Sequence, residues 1–245
     1  MRRVQVFADA SSLYSAAAEK ICTILETAAK ASDRVRFVLT GGTTPRPVYE
    51  MMARPPYRER IHWQRIDFFW GDERCVPPDH ADSNYRMVRD ALLVHVPVET
   101  DRVHRIQGEL EDREEAALLY EAEIRHEIHG EQVPSFDLVL LGMGEDGHTA
   151  SLFPGTTWDE RRWVVSNFVP KLQSWRITMT PRILNQARHV IFITAGAEKA
   201  KALRGVLEDA QLDYPAKRIQ PVAGALTWLA DKAAASLLSS RVRSD

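Results

Sequence analysis

Residues 136–155 read FDLVLLGMGEDGHTASLFPG, and the fold can be worked out from this stretch. Its apolar beginning, residues 136–141, is short and bounded by turn residues, as expected of a buried strand in a parallel sheet. Three glycines interrupt it, and Asp146 and His148 stand among and just after them. Open α/β sheets bind ligands just beyond the carboxyl ends of their strands. The stretch therefore predicts that Asp146 and His148 lie at a catalytic edge of the sheet.

The same glycines allow a second interpretation. Gly142, Gly144 and Gly147 satisfy the dinucleotide-binding pattern G-x-G-x-x-G and follow a predicted strand. A dinucleotide-binding turn opens a long helix that packs back on the sheet, whereas Pro154 and Gly155 end any helix here within about two turns. The sequence therefore favours a catalytic loop over a bound dinucleotide.

The rest of the chain alternates strands with helices, which predicts a single α/β domain over residues 1–245 with an open, mostly parallel sheet flanked by helices. Apolar periodicity predicts strands at residues 35–40, 65–70, 136–141, 163–167, 175–180 and 189–195. It predicts helices at residues 11–30, 82–94, 112–129, 198–207 and 226–238.

The composition of the chain excludes some classes of binding partner. The 32 basic and 34 acidic residues leave a net charge of −2, so no global field recruits nucleic acid or an acidic membrane. No apolar run is long enough to span a bilayer, and the N-terminus lacks the apolar core of a signal peptide. Cys22 and Cys75 are too few for a disulfide framework. We expect a cytoplasmic monomer.

The first predicted strand is followed by TGGTTP at residues 40–45, with a helix expected to begin near Pro45. Gly42 lets the backbone turn its amides outward, and Thr43 and Thr44 add hydroxyl donors at the positive end of a helix. Such a loop suits a phosphate. The alternative is a tight turn capped by Thr44. The loop lacks the G-K-[ST] of a nucleotide-binding P-loop.

The second predicted strand ends in Asp72-Glu73-Arg74, which places charges at the same edge of the sheet. These charges form either a solvated turn or part of a site, and their position favours the site. The nearby Asp79, His80 and Asp82 could suggest a metal. However, no second histidine or cysteine has a ligand spacing, and residues 82–84 are more typical of a helix cap. We therefore expect no metal.

Two basic residues in the second half of the chain are predicted to lie at the same carboxyl edge of the sheet. Arg176 begins the strand RITMT, and Lys199 lies in the first turn of a helix, where the helix dipole disfavours a cation. A bound anion shared with the loop at residues 40–45 would account for Lys199. The alternative is that Lys199 points into solvent.

These segments together resemble the 6-phosphogluconolactonases of the oxidative pentose phosphate pathway. The resemblance covers nearly the whole chain and rests on five motifs in order. They are TGGTTP at residues 40–45, GDERCVPPDHADSNY at 71–85, GMGEDGHTASLFPG at 142–155, RITMT at 176–180 and AGAEKA at 195–200. It implies a modified Rossmann-like fold of the sugar-phosphate isomerase/deaminase type, a phosphorylated sugar lactone as substrate and no cofactor.

The resemblance also implies roles for individual residues. We expect His148 to act as a general base toward water. Asp146 would orient the imidazole or hold a sugar hydroxyl, and Arg74 would lie near the developing negative charge. The expected phosphate ligands are Gly42, Thr43, Thr44, Arg176 and Lys199. The expected sugar and loop contacts are Asp72, Asn84 and Gly144.

One departure separates two activities within the wider family. Glucosamine-6-phosphate deaminases resemble this chain in the Asp-Gly-His loop, but their loop usually continues with a catalytic Glu just before the proline. Phe153 occupies that position here. The loss of the carboxylate favours a lactonase. A third possibility, a non-catalytic sugar-phosphate sensor, is disfavoured by the presence of Asp146 and His148.

Overall fold

The structure is a computed structural model that describes residues 2–128 and 134–242. The strands within these residues are β1 Arg2–Phe7, β2 Val35–Leu39, β3 Ile66–Trp70, β4 Asp72–Arg74, β5 Val103–His104, β6 Leu138–Gly142, β7 Val164–Val169, β8 Ser174–Met179, β9 His189–Thr194 and β10 Ala225–Asp231. The α-helices are α1 Ala10–Ala31, α2 Arg46–Met52, α3 Tyr57–Arg60, α4 Asn84–Ala91, α5 Arg113–Glu127, α6 Pro181–Leu184 and α7 Ala200–Glu208.

Seven strands form one parallel sheet in the order β1-β10-β9-β6-β2-β3-β5. The central strands are buried along almost their whole length, which explains why they are apolar runs rather than alternating sequences. The predicted open, mostly parallel α/β sheet is confirmed.

The strand order reverses between β2 and β6. From β2 the chain continues to β3 and β5 on one side, and from β6 it continues to β9 and β10 on the other. The loops that leave β2 and β6 therefore diverge and open a crevice at the carboxyl edge, which is where open α/β sheets bind ligands. The two loops are those at residues 40–45 and 143–148.

A second sheet of three antiparallel strands, β4-β8-β7, stands beside this crevice. The predicted strands at residues 163–167 and 175–180 belong to it rather than to the parallel sheet. Asp72 and Arg74, which were predicted at the end of the second strand, form the short strand β4 of this sheet, and the Met179 N–H donates to the Gly71 carbonyl at 2.8 Å. The small sheet therefore continues directly from the end of β3.

The predicted terminal helix at residues 226–238 was wrong. Residues Ala225–Asp231 form β10, which pairs with β9 on one side and with β1 on the other. A strand buried on both faces is mostly apolar, so its sequence does not show the period-two alternation that would distinguish it from a helix. The edge strand β1 was not predicted.

The other predicted helices are present with shifted ends. The helix predicted at residues 82–94 is Asn84–Ala91, and Ser83 caps it by accepting from the Arg86 N–H, so the cap predicted at residues 82–84 is confirmed. The helix predicted at residues 112–129 is Arg113–Glu127, and residue 129 lies outside the described residues. The helix at Ala200–Glu208 is preceded by a 3-10 turn over Ala197–Lys199.

Candidate active site

The crevice between the β2 and β6 loops holds two adjoining cavities of ≈ 180 and ≈ 330 Å³. Every residue predicted for the site lines one or both of them. Lining the smaller cavity are Gly42, Thr43, Thr44, Asp72, Arg74, Asn84, Gly144, His148 and Lys199. Asp146 and Arg176 line the larger one. A further cavity of ≈ 440 Å³ lies between α7 and the start of β10, and none of the predicted residues lines it.

The loop after β6 is a tight turn that brings His148 back over Gly144. The Gly144 N–H donates to the His148 carbonyl at 2.9 Å, and the Gly147 N–H donates to the Gly144 carbonyl at 3.1 Å. A Cβ on Gly144 would stand 2.0 Å from His148 Nδ1 and 2.8 Å from Asp146 Oδ1. Residue 144 must therefore be glycine for the acid and the histidine to meet.

Asp146 and His148 form a hydrogen-bonded pair. His148 Nδ1 lies 2.6 Å from Asp146 Oδ1, and both side chains are part-buried. This hydrogen bond, more than any other contact, holds the pKa of Asp146 well below its usual range, so the carboxylate is anionic and can only accept. His148 Nδ1 is therefore the donor of this hydrogen bond, and Nε2 is the ring nitrogen that does not contact Asp146.

Phe153 packs on the imidazole of this pair. The two ring centroids are 4.0 Å apart, and the planes are inclined by 21°. Phe153 is buried, and it also lines the larger cavity. The position that holds a carboxylate in the deaminase pattern therefore carries an apolar ring against the histidine.

The loop at residues 40–45 is anchored from behind. The buried Tyr49 hydroxyl donates to the Thr40 carbonyl at 2.9 Å and accepts from the Thr40 N–H at 3.0 Å. Gly42 has a φ of 97°, a conformation that favours glycine, and Thr43 beside it is exposed. Helix α2 begins after Pro45 without a side-chain cap, so Thr44 does not serve as its cap.

Asp72 ties the two loops together. Its carboxylate accepts from the Ser151 hydroxyl at 2.5 Å, and its carbonyl accepts from Asn84 Nδ2 at 2.9 Å. The Asn84 side chain in turn fills the space beside Gly41, where a Cβ would stand 1.7 Å from the amide oxygen. Asp72 and Asn84 are both buried. Through these contacts they connect the loop after β2 to the loop after β6.

Two guanidinium groups face the cleft from neighbouring strands. Arg74 on β4 and Arg176 on β8 are directly opposite each other in the antiparallel register. Burial, followed by the charge of Arg74, lowers the pKa of Arg176 from its ordinary value. Arg74 Nη1 donates to the Asp82 carbonyl at 2.6 Å. Like charges placed opposite each other are unfavourable, so this pair suits a bound anion.

Lys199 reaches the smaller cavity from the end of β9. The turn that carries it is fixed by the buried Asp231, whose carboxylate accepts from the Gly196 N–H at 3.1 Å and from the Ala234 N–H at 2.7 Å. Across residues 2–128 and 134–242, Lys199 has no ion-pair partner. Lys199 lines the smaller cavity together with Thr43 and Thr44.

Comparison with known proteins shows the family to which the chain belongs. The sequence model described as glucosamine-6-phosphate isomerases/6-phosphogluconolactonase matches residues 8–228. The chain belongs to this family. The 6-phosphogluconolactonase of Nostoc sp. is 39% identical over 242 residues, which cover 97% of this chain and 99% of that protein.

Solved structures of the family have the same fold. The crystal structure of 6-phosphogluconolactonase from Thermotoga maritima superposes with a TM-score of 0.83 at 32% identity, covering 95% of this chain and all of that one. A monomeric glucosamine-6-phosphate deaminase superposes with a TM-score of 0.81 at 24% identity, covering 96% of this chain and 99% of that one. The fold is therefore shared by a lactonase and a deaminase, and the residues of the site must distinguish the two activities.

Two contacts of this family member were not predicted from the sequence. Ser151 donates to Asp72, and Lys171 Nζ lies 3.2 Å from Asp146 Oδ2. Ser151 lies within the predicted loop motif, so its hydroxyl could have been proposed. Lys171 lies on the turn between β7 and β8, far from the loop in sequence, and only the small sheet brings it to Asp146.

The structure bears on three other possibilities: a dinucleotide-binding turn, a metal site and a membrane-spanning helix. No helix lies between residues 148 and 163, directly after the loop at residues 143–148. A dinucleotide-binding turn, in contrast, opens a long helix. Within the described residues, no group of three or more His, Cys, Asp or Glu side chains could hold a metal ion. None of the helices described is both long enough and apolar enough to cross a bilayer.

Proposed function

We propose that this protein hydrolyses 6-phospho-D-glucono-1,5-lactone to 6-phospho-D-gluconate by general-base activation of water, without a metal. The observation that carries the proposal is the Asp146–His148 pair at 2.6 Å in a cleft that also holds Arg74, Arg176 and Lys199. The family relatives support the class of reaction, since curated members and solved structures are named 6-phosphogluconolactonases, which are lactone hydrolases. Their names also support a role in the pentose phosphate pathway.

A δ-lactone is an activated ester, so hydrolysis needs a positioned water and a stabilised oxyanion rather than a covalent nucleophile. His148 Nε2 takes a proton from water as its oxygen bonds to C1 of the lactone. The C1 bond to the ring oxygen then breaks, and the proton returns to that oxygen. Asp146 holds the imidazole through Nδ1, so Nε2 stays free for this transfer.

The negative charge that develops on the C1 oxygen needs a nearby cation. Arg74 lines both cavities together with His148, and its guanidinium is held by the Asp82 carbonyl. A preorganised charge of this kind needs no reorganisation during the reaction. We assign oxyanion stabilisation to Arg74, and the sugar hydroxyls to Asp72 and Gly144. Asn84 supports Asp72 from behind.

The phosphate is remote from the bond that breaks, so its role is to supply binding energy that fixes the lactone ring. The hydroxyls of Thr43 and Thr44 have no protein partner within the described residues, and both residues line the smaller cavity together with Lys199. We assign the phosphate to Gly42, Thr43, Thr44 and Lys199, with Arg176 completing the positive wall.

The test is lactone disappearance at constant pH, measured above the spontaneous rate because this substrate hydrolyses unaided. We expect His148→Ala to lose about 10²–10⁴-fold in kcat while it keeps the wild-type circular dichroism spectrum. We expect a chelator to leave the rate unchanged. A wild-type rate no higher than the spontaneous one would overturn the proposal, and near-normal turnover by His148→Ala would remove His148 from its role.

Two further assays on the same purified protein distinguish a lactonase from a deaminase and from a non-catalytic sensor. A deaminase would release ammonia from glucosamine 6-phosphate, and a sensor would bind 6-phosphogluconate without accelerating lactone hydrolysis. We expect neither result. Phe153 on His148 supplies an apolar ring where the deaminase pattern has a carboxylate. The monomeric state, the single domain and the cytoplasmic location stay predictions, to be tested by sedimentation, limited proteolysis and cell fractionation.

A further inference from the structure

The turn between β7 and β8 is built to hold one lysine over the cleft. Residues Pro170–Leu172 form a single 3-10 turn that ends at Gln173 in the left-handed region, with a φ of 48°. Gln173 closes the turn twice, because its N–H and its Nε2 both donate to the Pro170 carbonyl, at 3.2 and 2.7 Å. Lys171 stands at the tip of this closed turn.

Lys171 reaches out of the small sheet to the catalytic loop. Its Nζ lies 3.2 Å from Asp146 Oδ2, whereas His148 Nδ1 lies 2.6 Å from the other oxygen, Oδ1. The carboxylate is therefore held at both oxygens, by a cation on one side and by the imidazole on the other. Lys171 also lines the larger cavity beside His148.

We propose that Lys171 is a positioning residue for the catalytic pair: it fixes the Asp146 carboxylate so that Oδ1 faces His148, and it sets the pH range in which His148 works. The proposal rests on the proposed function, because it assumes that His148 is the general base. Without Lys171, Oδ2 would face solvent, and the carboxylate could rotate away from the imidazole.

The effect of Lys171 on the pH range in which His148 works follows from charge. A carboxylate stabilises a protonated histidine, and a lysine on that carboxylate opposes the effect. The other charged groups that line the same cavity are the cations Arg74, Arg176 and Lys199 and the acids Asp72 and Glu145. Among the lysines and arginines that line this cavity, Lys171 alone makes an ion pair with Asp146 within the described residues. Removing Lys171 leaves Asp146 free to favour the protonated imidazole, so His148 would need a higher pH to act as a base.

The experiment compares Lys171→Met and Lys171→Arg with the wild type across pH 5–9. We expect Lys171→Met to lower kcat about tenfold, part of the ~10²–10⁴-fold that a general base contributes, with little change in KM. The rising acid limb of its kcat profile should move to higher pH by about half a unit, as expected for one solvated charge a few ångströms away. Lys171→Arg should restore most of both effects.

The matched control is Lys30→Met, which removes an exposed lysine at the end of α1, on the side of the sheet where β2 begins. It should retain the wild-type kcat and pH profile. A Lys171→Met profile with an unmoved acid limb would overturn the proposal, as would a raised KM with normal kcat, which would place Lys171 on the substrate. An inactive wild-type protein would instead contradict the proposed function itself.

Discussion

Phe153 lies almost flat on the imidazole of His148, with ring centroids 4.0 Å apart. The contact covers one face of the base with apolar surface and limits the rotation of its ring. Combined with the hydrogen bond from Nδ1 to Asp146, it leaves the edge of the imidazole that carries Nε2 as the part available to a substrate. A general base must be held within hydrogen-bond reach of the proton it takes, so Phe153 contributes to geometry rather than to chemistry.

We therefore expect Phe153→Ala to lower kcat about tenfold, with a smaller change in KM. Phe153 is buried, so the variant should also lose about 3 kcal/mol of stability, as other large-to-small core substitutions do. Phe153→Leu keeps most of the volume and should keep most of the activity. Steady-state kinetics and urea denaturation measure both effects. Full kcat in Phe153→Ala would show that the stacked ring does not position His148.

The close approach at Gly144 gives a second prediction. Gly144→Ala should lose about 10²-fold or more in kcat, because its Cβ would occupy the space of His148 Nδ1 and force the pair apart. Gly71→Ala is the matched control, since a Cβ there would meet its nearest neighbour at 3.6 Å, an ordinary contact distance, and Gly71 lines neither cavity of the crevice. The two variants should be compared in one lactone assay. Similar activity in both would mean that the loop can yield without cost to the pair.

Several parts of the fold were predictable because local signals and position in the sheet agree. β2, β3 and β6 are short apolar runs that end in glycines, and the glycines mark the points where the chain leaves the sheet. Loops at the carboxyl ends of neighbouring parallel strands must meet, so the predicted residues on them line one crevice. Asp146 and His148 were predictable for the same reason, since their contact is local.

The parts that were not predicted depend on tertiary partners. β10 is a strand because β1 and β9 lie on either side of it, and nothing in its apolar sequence distinguishes it from a helix. The small antiparallel sheet could not be inferred from strand propensity alone, because propensity does not choose a pairing. Lys171 reaches Asp146 only through that sheet, so this contact could not be inferred from spacing.

The phosphate assignment can be tested separately from the chemistry. Lys199→Ala should raise KM for 6-phosphogluconolactone about tenfold or more and change KM little for unphosphorylated gluconolactone, because the cation would contact only the phosphate. Lys201→Ala removes an exposed lysine of α7 that does not line the cleft and should behave as wild type. Equal losses on both substrates would place Lys199 near the lactone ring instead.

A buried charge cluster far from the glycine loop gives a prediction about stability. The Asp67 carboxylate on β3 accepts hydrogen bonds from Nε and Nη2 of Arg34, at 2.8 and 2.9 Å, and His104 Nδ1 on β5 lies 3.0 Å from Glu123 Oε1. Burial by itself would raise the pKa of Asp67, but His104 and Arg34 outweigh it and lower that pKa to about 2. Burial likewise opposes the charged form of His104, yet Asp67 and Glu123 raise its pKa to about 9.

A histidine whose pKa is higher in the folded than in the unfolded protein stabilises the fold below its unfolded pKa of about 6.5, and this stabilisation is lost as the pH rises through about 9. We expect the free energy of unfolding to fall by on the order of 2 kcal/mol between pH 6.5 and 9.5, a value reduced for solvent screening near Glu123. Urea denaturation across this range measures it. His104→Gln should be less stable at pH 6.5 and should lack most of the slope, whereas His62→Gln, at an exposed histidine, should retain it. An unchanged slope in His104→Gln would mean that His104 is not protonated in the fold.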